Sequence, residues 1–271
     1  MDRKFGCCTW IFGDAPLTVT AGHMRKAGLD GVELFGDVAG TDPVKAREIL
    51  ANEGLSVFSV TPGDADISHP DPAIRAKAIA YYDALMDWAK ELGNPLISCH
   101  GQVTRIKPVT SQDEEDGLLI DATRQICDFA KKRGLAVVFE ILNRYETHQV
   151  RTVEEGLAFL EAVGAENLKL LPDAYHMNIE EENPAAALLR GGDKIGLYHA
   201  ADSNRAGVGE GHTDFAAQIR SLDQIAYAGP VIFEVNAPGP NPFTPDKGPG
   251  FRDIVEAQLE KSVRGFRALA N

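Results

Sequence analysis

A single (β/α)₈ barrel is the fold class this sequence predicts, and three observations predict it. Short apolar runs alternate regularly with longer amphipathic segments, eight such units can be counted from end to end, and the chain is 271 residues long. Alternation of this kind demands a parallel sheet, and eight units in about 250 residues favour closure into a barrel over an open doubly wound sheet. No interior linker, low-complexity tract or charge block divides the chain, so residues 1–271 are expected to form one domain.

Taken in order, Phe5–Phe12 reads as the first strand-like run, followed by a helix over about Pro16–Ala27. The Gly28-Leu29-Asp30 turn leads into the second strand, Gly31-Val32-Glu33-Leu34-Phe35. A helix from about Asp42 to Asn52 stops at Gly54, and Leu55–Val60 is the third strand. Between Pro72 and Leu92, the residues Ile74, Ala78, Tyr81, Leu85, Trp88 and Leu92 recur at steps of three and four, which predicts one apolar helix face. Pro95–Cys99 reads as the fourth strand.

A helix over roughly Gln112–Arg133 places Leu119, Ala122, Ile126 and Phe129 along one side. Its acidic run Asp113–Asp116 is expected to be a solvated helix start, where carboxylates complement the helix dipole. Leu135–Phe139 forms the fifth strand and ends in Glu140. A helix near Val153–Val163 precedes a strand at Leu168–Leu171 that leads to Asp173. A short helix near Pro184–Arg190, a strand at Ile195–Ala200, a helix near Phe215–Leu222 and a last strand at Pro230–Val235 complete the alternation. The closing helix, Phe251–Leu269, is expected to turn Ile254, Val255, Leu259, Val263 and Phe266 inward.

Composition narrows the function classes. The net charge of −13 sets up a field that repels nucleic acid and anionic membranes, so neither is an expected partner. No apolar stretch approaches the roughly 20 residues needed to span a bilayer. The four cysteines, Cys7, Cys8, Cys99 and Cys127, form no CxxC pair and read as reduced core thiols. Met1-Asp2-Arg3-Lys4 runs into a short apolar segment without signal-peptide design, which makes a cytoplasmic setting the expectation.

Functional groups of such barrels gather at the carboxyl ends of the strands. Reading those ends gives Glu33, His100, Glu140, Asp173, His199 and Glu234. Three carboxylates, Glu140, Asp173 and Glu234, would converge there with the imidazole of His199, and desolvated carboxylates repel one another unless a cation intervenes. An oxygen-rich set with one nitrogen suits a divalent ion, Mn²⁺ first, with Co²⁺ or Mg²⁺ as alternatives. Glu33 and His100 are weaker candidates, each explained equally by a satisfied hydrogen bond at the barrel rim. Trp10 and Phe35 could wall a pocket, although core packing is the plainer reading of such aromatics.

The segment Phe139-Glu140-Ile141-Leu142-Asn143-Arg144-Tyr145-Glu146-Thr147 resembles a Glu-x-x-Asn-Arg-Tyr-Glu-Thr pattern. Asp173-Ala174-Tyr175-His176-Met177-Asn178-Ile179-Glu180 is similar to an Asp-Thr-Phe-His-Met-Asn-Ile-Glu segment, and His199 with Asp202-Ser203-Asn204-Arg205, then Phe233-Glu234, supply two more motifs. In these motifs the sequence resembles the xylose-isomerase-like barrel superfamily and, within it, the D-tagatose and D-psicose 3-epimerase group. The resemblance implies that Glu140, Asp173, His199 and Glu234 are metal ligands. It further implies that Glu146, His176 and Arg205 hold a sugar substrate, and that the chain assembles as a dimer or tetramer. One departure is visible: the family's usual Pro-Gly after Arg205 is replaced by Ala206-Gly207 in a run that continues to His212. Without the proline this loop is expected to be more flexible, a mobile lid rather than a phosphate cradle.

The implied reaction inverts the carbon beside a ketose carbonyl. A divalent metal acting as Lewis acid would stabilise the cis-enediolate, and Glu140 and Glu234 would serve as acid and base on its two faces. The runner-up readings are an inosose isomerase or dehydratase and an aldose–ketose isomerase of the hydroxypyruvate type, since fold alone cannot choose among them. An abasic-site endonuclease is disfavoured by 27 basic against 40 acidic residues. A non-catalytic sugar-binding barrel is opposed by the retention of both glutamates.

Overall fold

The computed structural model describes residues 3–239 and 244–269; Met1 and Asp2, part of the N-terminal run read above, lie outside them. The strands are β1 (Phe5–Cys8), β2 (Gly31–Phe35), β3 (Ser56–Thr61), β4 (Leu96–Cys99), β5 (Val137–Ile141), β6 (Leu168–Pro172), β7 (Tyr198–Ala200) and β8 (Val231–Phe233). The helices are α1 (Leu17–Lys26), α2 (Pro43–Asn52), α3 (Pro72–Lys90), α4 (Gln112–Lys132), α5 (Val153–Val163), α6 (Ala174–Glu180), α7 (Pro184–Gly191), α8 (Phe215–Gln224) and α9 (Phe251–Leu269). All ladder pairings are parallel and run β6-β5-β4-β3-β2-β1-β8-β7. The ring closes between β6 and β7 through two isolated parallel bridges, Leu170 with Ile195 and Asp173 with His199. The protein is a single (β/α)₈ barrel, as its alternating pattern predicts.

Local chemistry explains the helix starts. The side chains of Asp42, Asp71 and Asn183 accept hydrogen bonds from the first free amides of α2, α3 and α7, and each is followed by proline at the first helical position. Proline there gives up an amide that had no partner, and its fixed φ suits the helix. Ser111 and Thr152 cap α4 and α5 in the same manner. Close backbone approach at the amino-terminal floor of the barrel requires glycine: a Cβ on Gly31 would lie 2.4 Å from the Ser56 carbonyl oxygen. An aromatic cluster of Phe5, Phe233 and Phe266 joins β1, β8 and α9, with Phe5 and Phe233 stacked at 5.8 Å.

Several local expectations are corrected. The first strand stops at Cys8, and Thr9–Phe12 forms a 3₁₀ turn that brings Trp10 to the barrel mouth. Helix α6, directly after Asp173, is not apparent in the apolar pattern because it is only seven residues long. On α3 the buried face is Ala78, Tyr82, Leu85, Met86, Trp88 and Ala89, whereas Ile74 is exposed. On α9, Val255, Leu259, Val263 and Phe266 are buried, but Ile254 is exposed.

The acidic start of α4 is not uniformly solvated: Glu115 is fully buried. It pairs with Arg105 and accepts the amides of Val109 and Thr110 at 2.6 and 2.9 Å. Arg105 also donates to Asp66 at 2.9 Å and to Ser68 at 2.7 Å, and lies 3.0 Å from His148 Nε2. One guanidinium therefore ties together the loops that follow β3, β4 and β5. All four cysteines are free and buried, as expected.

Candidate metal centre

His199, the central residue of β7, is almost fully buried. Its Nε2 faces Glu33 Oε1 at 3.2 Å, while its Nδ1 faces Glu140, Asp173 and Glu234 at 3.6, 3.7 and 3.4 Å. One ligand atom from each of Glu140, Asp173, His199 and Glu234 lies within 4.8 Å of every other. The four strand-end residues singled out from the sequence are thus brought together at one point.

Each position follows from the local fold. Glu140 is the fourth residue of β5. Asp173 caps α6: its Oδ1 accepts the amides of Tyr175 and His176 at 2.6 and 3.3 Å, and its Oδ2 is left without a hydrogen-bond partner. Glu234 follows β8, where its Oε1 accepts from Arg205 Nη2 at 2.7 Å and its Oε2 has no partner. His199 Nδ1 is similarly unpartnered. Buried polar atoms are normally satisfied, so three such atoms turned toward one point mark a place where a cation fits. Three carboxylates and one imidazole are a donor set for a divalent ion of the Mn²⁺, Co²⁺ or Mg²⁺ kind.

The electrostatics agree with that reading. Burial pushes the Glu140 carboxyl up; the charge of His199 opposes this, but the neighbouring carboxylates Glu234, Glu33 and Asp173 reinforce it, and the net shift is strongly upward. Burial alone would lower His199, yet Glu33, Asp173 and Glu234 raise it well above its ordinary value. Asp173 feels the same burial, but His176, His199 and Arg205 hold it below the usual carboxylate range. The centre in this form retains protons because it concentrates negative charge, and a divalent ion would replace them.

The residues that the motif resemblance assigns to substrate lie beside this centre. His176 is buried, and its Nδ1 accepts the Asn143 amide at 3.2 Å and lies 2.7 Å from Asn143 Nδ2. With Nδ1 occupied as an acceptor, Nε2 carries the proton; it has no partner in the protein. Glu146 Oε1 accepts from Asn143 Nδ2 at 3.1 Å and from Arg205 Nη1 at 3.3 Å. The Arg205 guanidinium, 4.6 Å from the centre of the Tyr175 ring, therefore bridges Glu146 and Glu234.

Arg205 sits at φ 62°, inside a turn in which its amide donates to the Asp202 carbonyl at 2.7 Å. The glycine-containing loop after it is not a free lid. The fully buried Asp202 carboxylate accepts the amides of Ser203, Gly209 and Thr213 at 2.7, 2.8 and 3.0 Å. Val208 is buried and donates its amide to Ser262 on α9 at 2.9 Å. Hydrogen bonding from buried groups thus replaces the stiffness that proline would supply.

Three further residues are more closely involved than their sequence setting indicates. Glu33 is fully buried and accepts from Ser59 at 2.6 Å and from Thr61, so it orients His199 from behind. Asn143 fixes the His176 ring. Cys8 is fully buried next to the centre, its Sγ 3.8 Å from Glu33 Oε1. A strand-end rule marks Glu33 without ranking it, the Glu-x-x-Asn motif contains Asn143 without giving it a role, and no spacing signal marks Cys8.

A cavity of about 840 Å³ opens above the centre. Its lining includes Glu140, Glu146, His176, Arg205 and Glu234, together with Trp10, Phe35, Asp64 and His100. Phe35 is partly exposed to this space and Trp10 half-buried, so both are wall residues. His100 bonds to the Gly101 carbonyl oxygen at 2.6 Å and is kept from charging by burial. A second cavity of about 670 Å³ lies away from the mouth, against α4 and α5, and contains none of the four clustered residues.

Fold and site together define a (β/α)₈-barrel protein with a buried carboxylate–histidine cluster, one that could hold a metal ion, at the carboxyl ends of its strands. The chain belongs to the xylose isomerase-like TIM barrel family, whose model matches residues 22–262. It is 34% identical over 220 residues to an L-ribulose 3-epimerase of Methylomonas sp. (strain DH-1), covering 77% of this chain and 74% of that protein. It is 33% identical over 240 residues to a ketose 3-epimerase of Arthrobacter globiformis, covering 85% and 83%. A crystal structure of D-allulose 3-epimerase from Methylomonas sp. in complex with D-allulose superposes with a TM-score of 0.87, at 26% identity over 98% of this chain and 96% of that one.

Proposed function

We propose that this protein is a divalent-metal-dependent ketose 3-epimerase, acting as a single barrel unit over residues 1–271. The observation that carries this is the convergence of Glu140, Asp173, His199 and Glu234 within 4.8 Å of one another beneath the cavity. The relatives named as 3-epimerases support the reaction class. Those four residues would hold the metal, Mn²⁺ with Co²⁺ or Mg²⁺ as alternatives, which would supply Lewis-acid polarisation of the ketose carbonyl.

The protein's own groups do the rest. Glu140 and Glu234 arise from β5 and the end of β8, on separate arcs of the ring, and one removes the C3 proton while the other returns a proton to the opposite face. Arg205 holds Glu234 and Glu146 at fixed spacing, and the Nε2–H of His176 donates to a substrate oxygen. The buried site keeps these charges in a low-dielectric setting, where they act most strongly.

The charge of the cavity supports a free sugar rather than a phosphorylated one. Asp14, Asp37, Asp64, Glu140, Glu146 and Glu234 line it, against Arg205 and Lys247. Arg205 is already paired with two of those carboxylates. A phosphate group would enter a negative field. The setting is proposed to be cytoplasmic and the assembly a dimer or tetramer; no helix among the described residues is long and apolar enough to cross a membrane.

The test is deuterium incorporation into fructose, psicose, tagatose, sorbose, ribulose and xylulose, followed by NMR in D₂O with Mn²⁺ and with EDTA. Metal-dependent label at C3, with formation of the C3 epimer, is the expected result. Glu140→Gln and Glu234→Gln should each reduce turnover by about 10²–10⁴-fold. Label at C1 with an aldose product would instead identify an aldose–ketose isomerase.

A further inference from the structure

We propose that Cys8, His199 and Glu234 form a second donor set within the same mouth, one that captures a thiophilic divalent ion such as Cd²⁺ or Zn²⁺ through the Cys8 sulfur. The inference rests on the metal-centre reading only in sharing His199 and Glu234 with it. One ligand atom from each of Cys8, His199 and Glu234 lies within 4.8 Å of the other two, and all three residues are buried. The register that pairs Cys7 with Phe233 puts the next residue of each chain segment, Cys8 and Glu234, side by side at the end of β1 and β8.

The polar atoms there are free to coordinate. His199 Nδ1 and Glu234 Oε2 have no hydrogen-bond partner, in residues that are only 1% and 8% exposed. The two sets differ in chemistry: Glu140 and Asp173 complete an oxygen-rich set for hard ions, whereas Cys8 supplies a sulfur to the other. Softness of the ligand selects the ion, and sulfur, nitrogen and oxygen together with one open position make a zinc-type site. Binding converts the Cys8 thiol and the free ion into a metal–thiolate and one released proton. The Glu33 carboxylate, which already accepts from the thiol at 3.8 Å, is the first acceptor for that proton on its way to solvent. An ion seated on Cys8 draws His199 and Glu234 away from Glu140 and Asp173, so thiophilic ions inhibit turnover supported by Mn²⁺.

Metal-free protein is titrated with Cd²⁺ while the ultraviolet thiolate-to-cadmium charge-transfer band is recorded, and Mn²⁺ binding is followed separately by water-proton relaxation. Wild type should develop the band at one equivalent. Cys8→Ser should lose the band, keep its Mn²⁺ affinity and become less sensitive to Cd²⁺ inhibition. Glu140→Gln should keep the band while its Mn²⁺ affinity falls. Cadmium NMR of wild type supplies a readout that needs no variant, its shift distinguishing one sulfur ligand from none. Bound Cd²⁺ with no sulfur signature, or a band that survives in Cys8→Ser, overturns the proposal and leaves the four-residue centre standing. Loss of Mn²⁺ binding in wild type with the cadmium band intact overturns the four-residue reading and leaves this one standing.

Discussion

Asp173 and Glu234 divide their labour between two oxygens. One oxygen of each is committed to the protein, to the first amides of α6 or to Arg205, and the other is turned inward. Asn143 does the equivalent for His176 by occupying Nδ1 and so fixing which nitrogen bears the proton. Asn143→Leu should therefore lower kcat/KM by about tenfold, the worth of one buried hydrogen bond, while Mn²⁺ affinity in a calorimetric titration stays unchanged. Asp202 carries a pH prediction. Burial raises its carboxyl, but the amides of Thr213, Ser203, Gly211 and Gly209 outweigh that and hold it below its ordinary value. A depressed folded value means stability that is present above the unfolded pKa of about 3.9 and lost as pH falls through the folded value. Asp202→Asn should be less stable at neutral pH by about 1–3 kcal/mol, and its urea midpoint should fall less steeply than wild type's below about pH 4. At this scale the four clustered residues were legible because each stands at or just past the end of an apolar run. Asn143 stands in the Glu-x-x-Asn motif and Glu33 among the strand-end residues, but each acts through another side chain, His176 or His199, and that partnership is visible only once the chain is folded.

Among elements, the loops that follow β3, β4 and β5 are joined through Arg105, whose fully buried ion-pair partner is Glu115 on α4. Removing one partner of a buried pair leaves the other charge uncompensated, and Asp66 offsets only part of it. Glu115→Leu should destabilise the protein by about 3 kcal/mol in chemical denaturation, and it should raise KM more than it lowers kcat, because the loops carrying Val103 and Thr104 wall the cavity. The bounds of α5 and α9 were read closely: both occupy the spans their patterns predict. The α3 face was read correctly at Ala78, Leu85, Trp88 and, just past the helix end, Leu92; it differs at Ile74, which lies in the first turn where the helix end still projects into solvent, and at Tyr81, because Tyr82 turns fully to the core instead. The burial of Glu115 was hidden for a different reason. A run of acids looks solvated unless the arginine it meets, ten residues earlier, is known to fold back over it.

For the molecule as a whole, a bound divalent ion adds to stability by mass action, about 2.7 kcal/mol at a hundredfold excess over Kd. Chelation should accordingly lower the thermal midpoint by roughly 5–10 °C, read by calorimetry with and without EDTA. The global fold was the most legible level of all, since eight alternating units leave few alternatives. What the alternation does not reveal is how the ring is joined. Between β6 and β7 no continuous ladder forms among the described residues; isolated bridges and the amides of Gly196 and Leu197 on the Leu170 carbonyl join them, and one bridge is between Asp173 and His199 themselves. The seam of the barrel and the proposed metal centre are the same place, so an ion held there would act as a rivet across it. Opening of the barrel should begin at this join in metal-free protein, and amides of β6 and β7 should gain more hydrogen-exchange protection on metal loading than those of β2 and β3. Catalytic competence and the integrity of the ring would then be lost together.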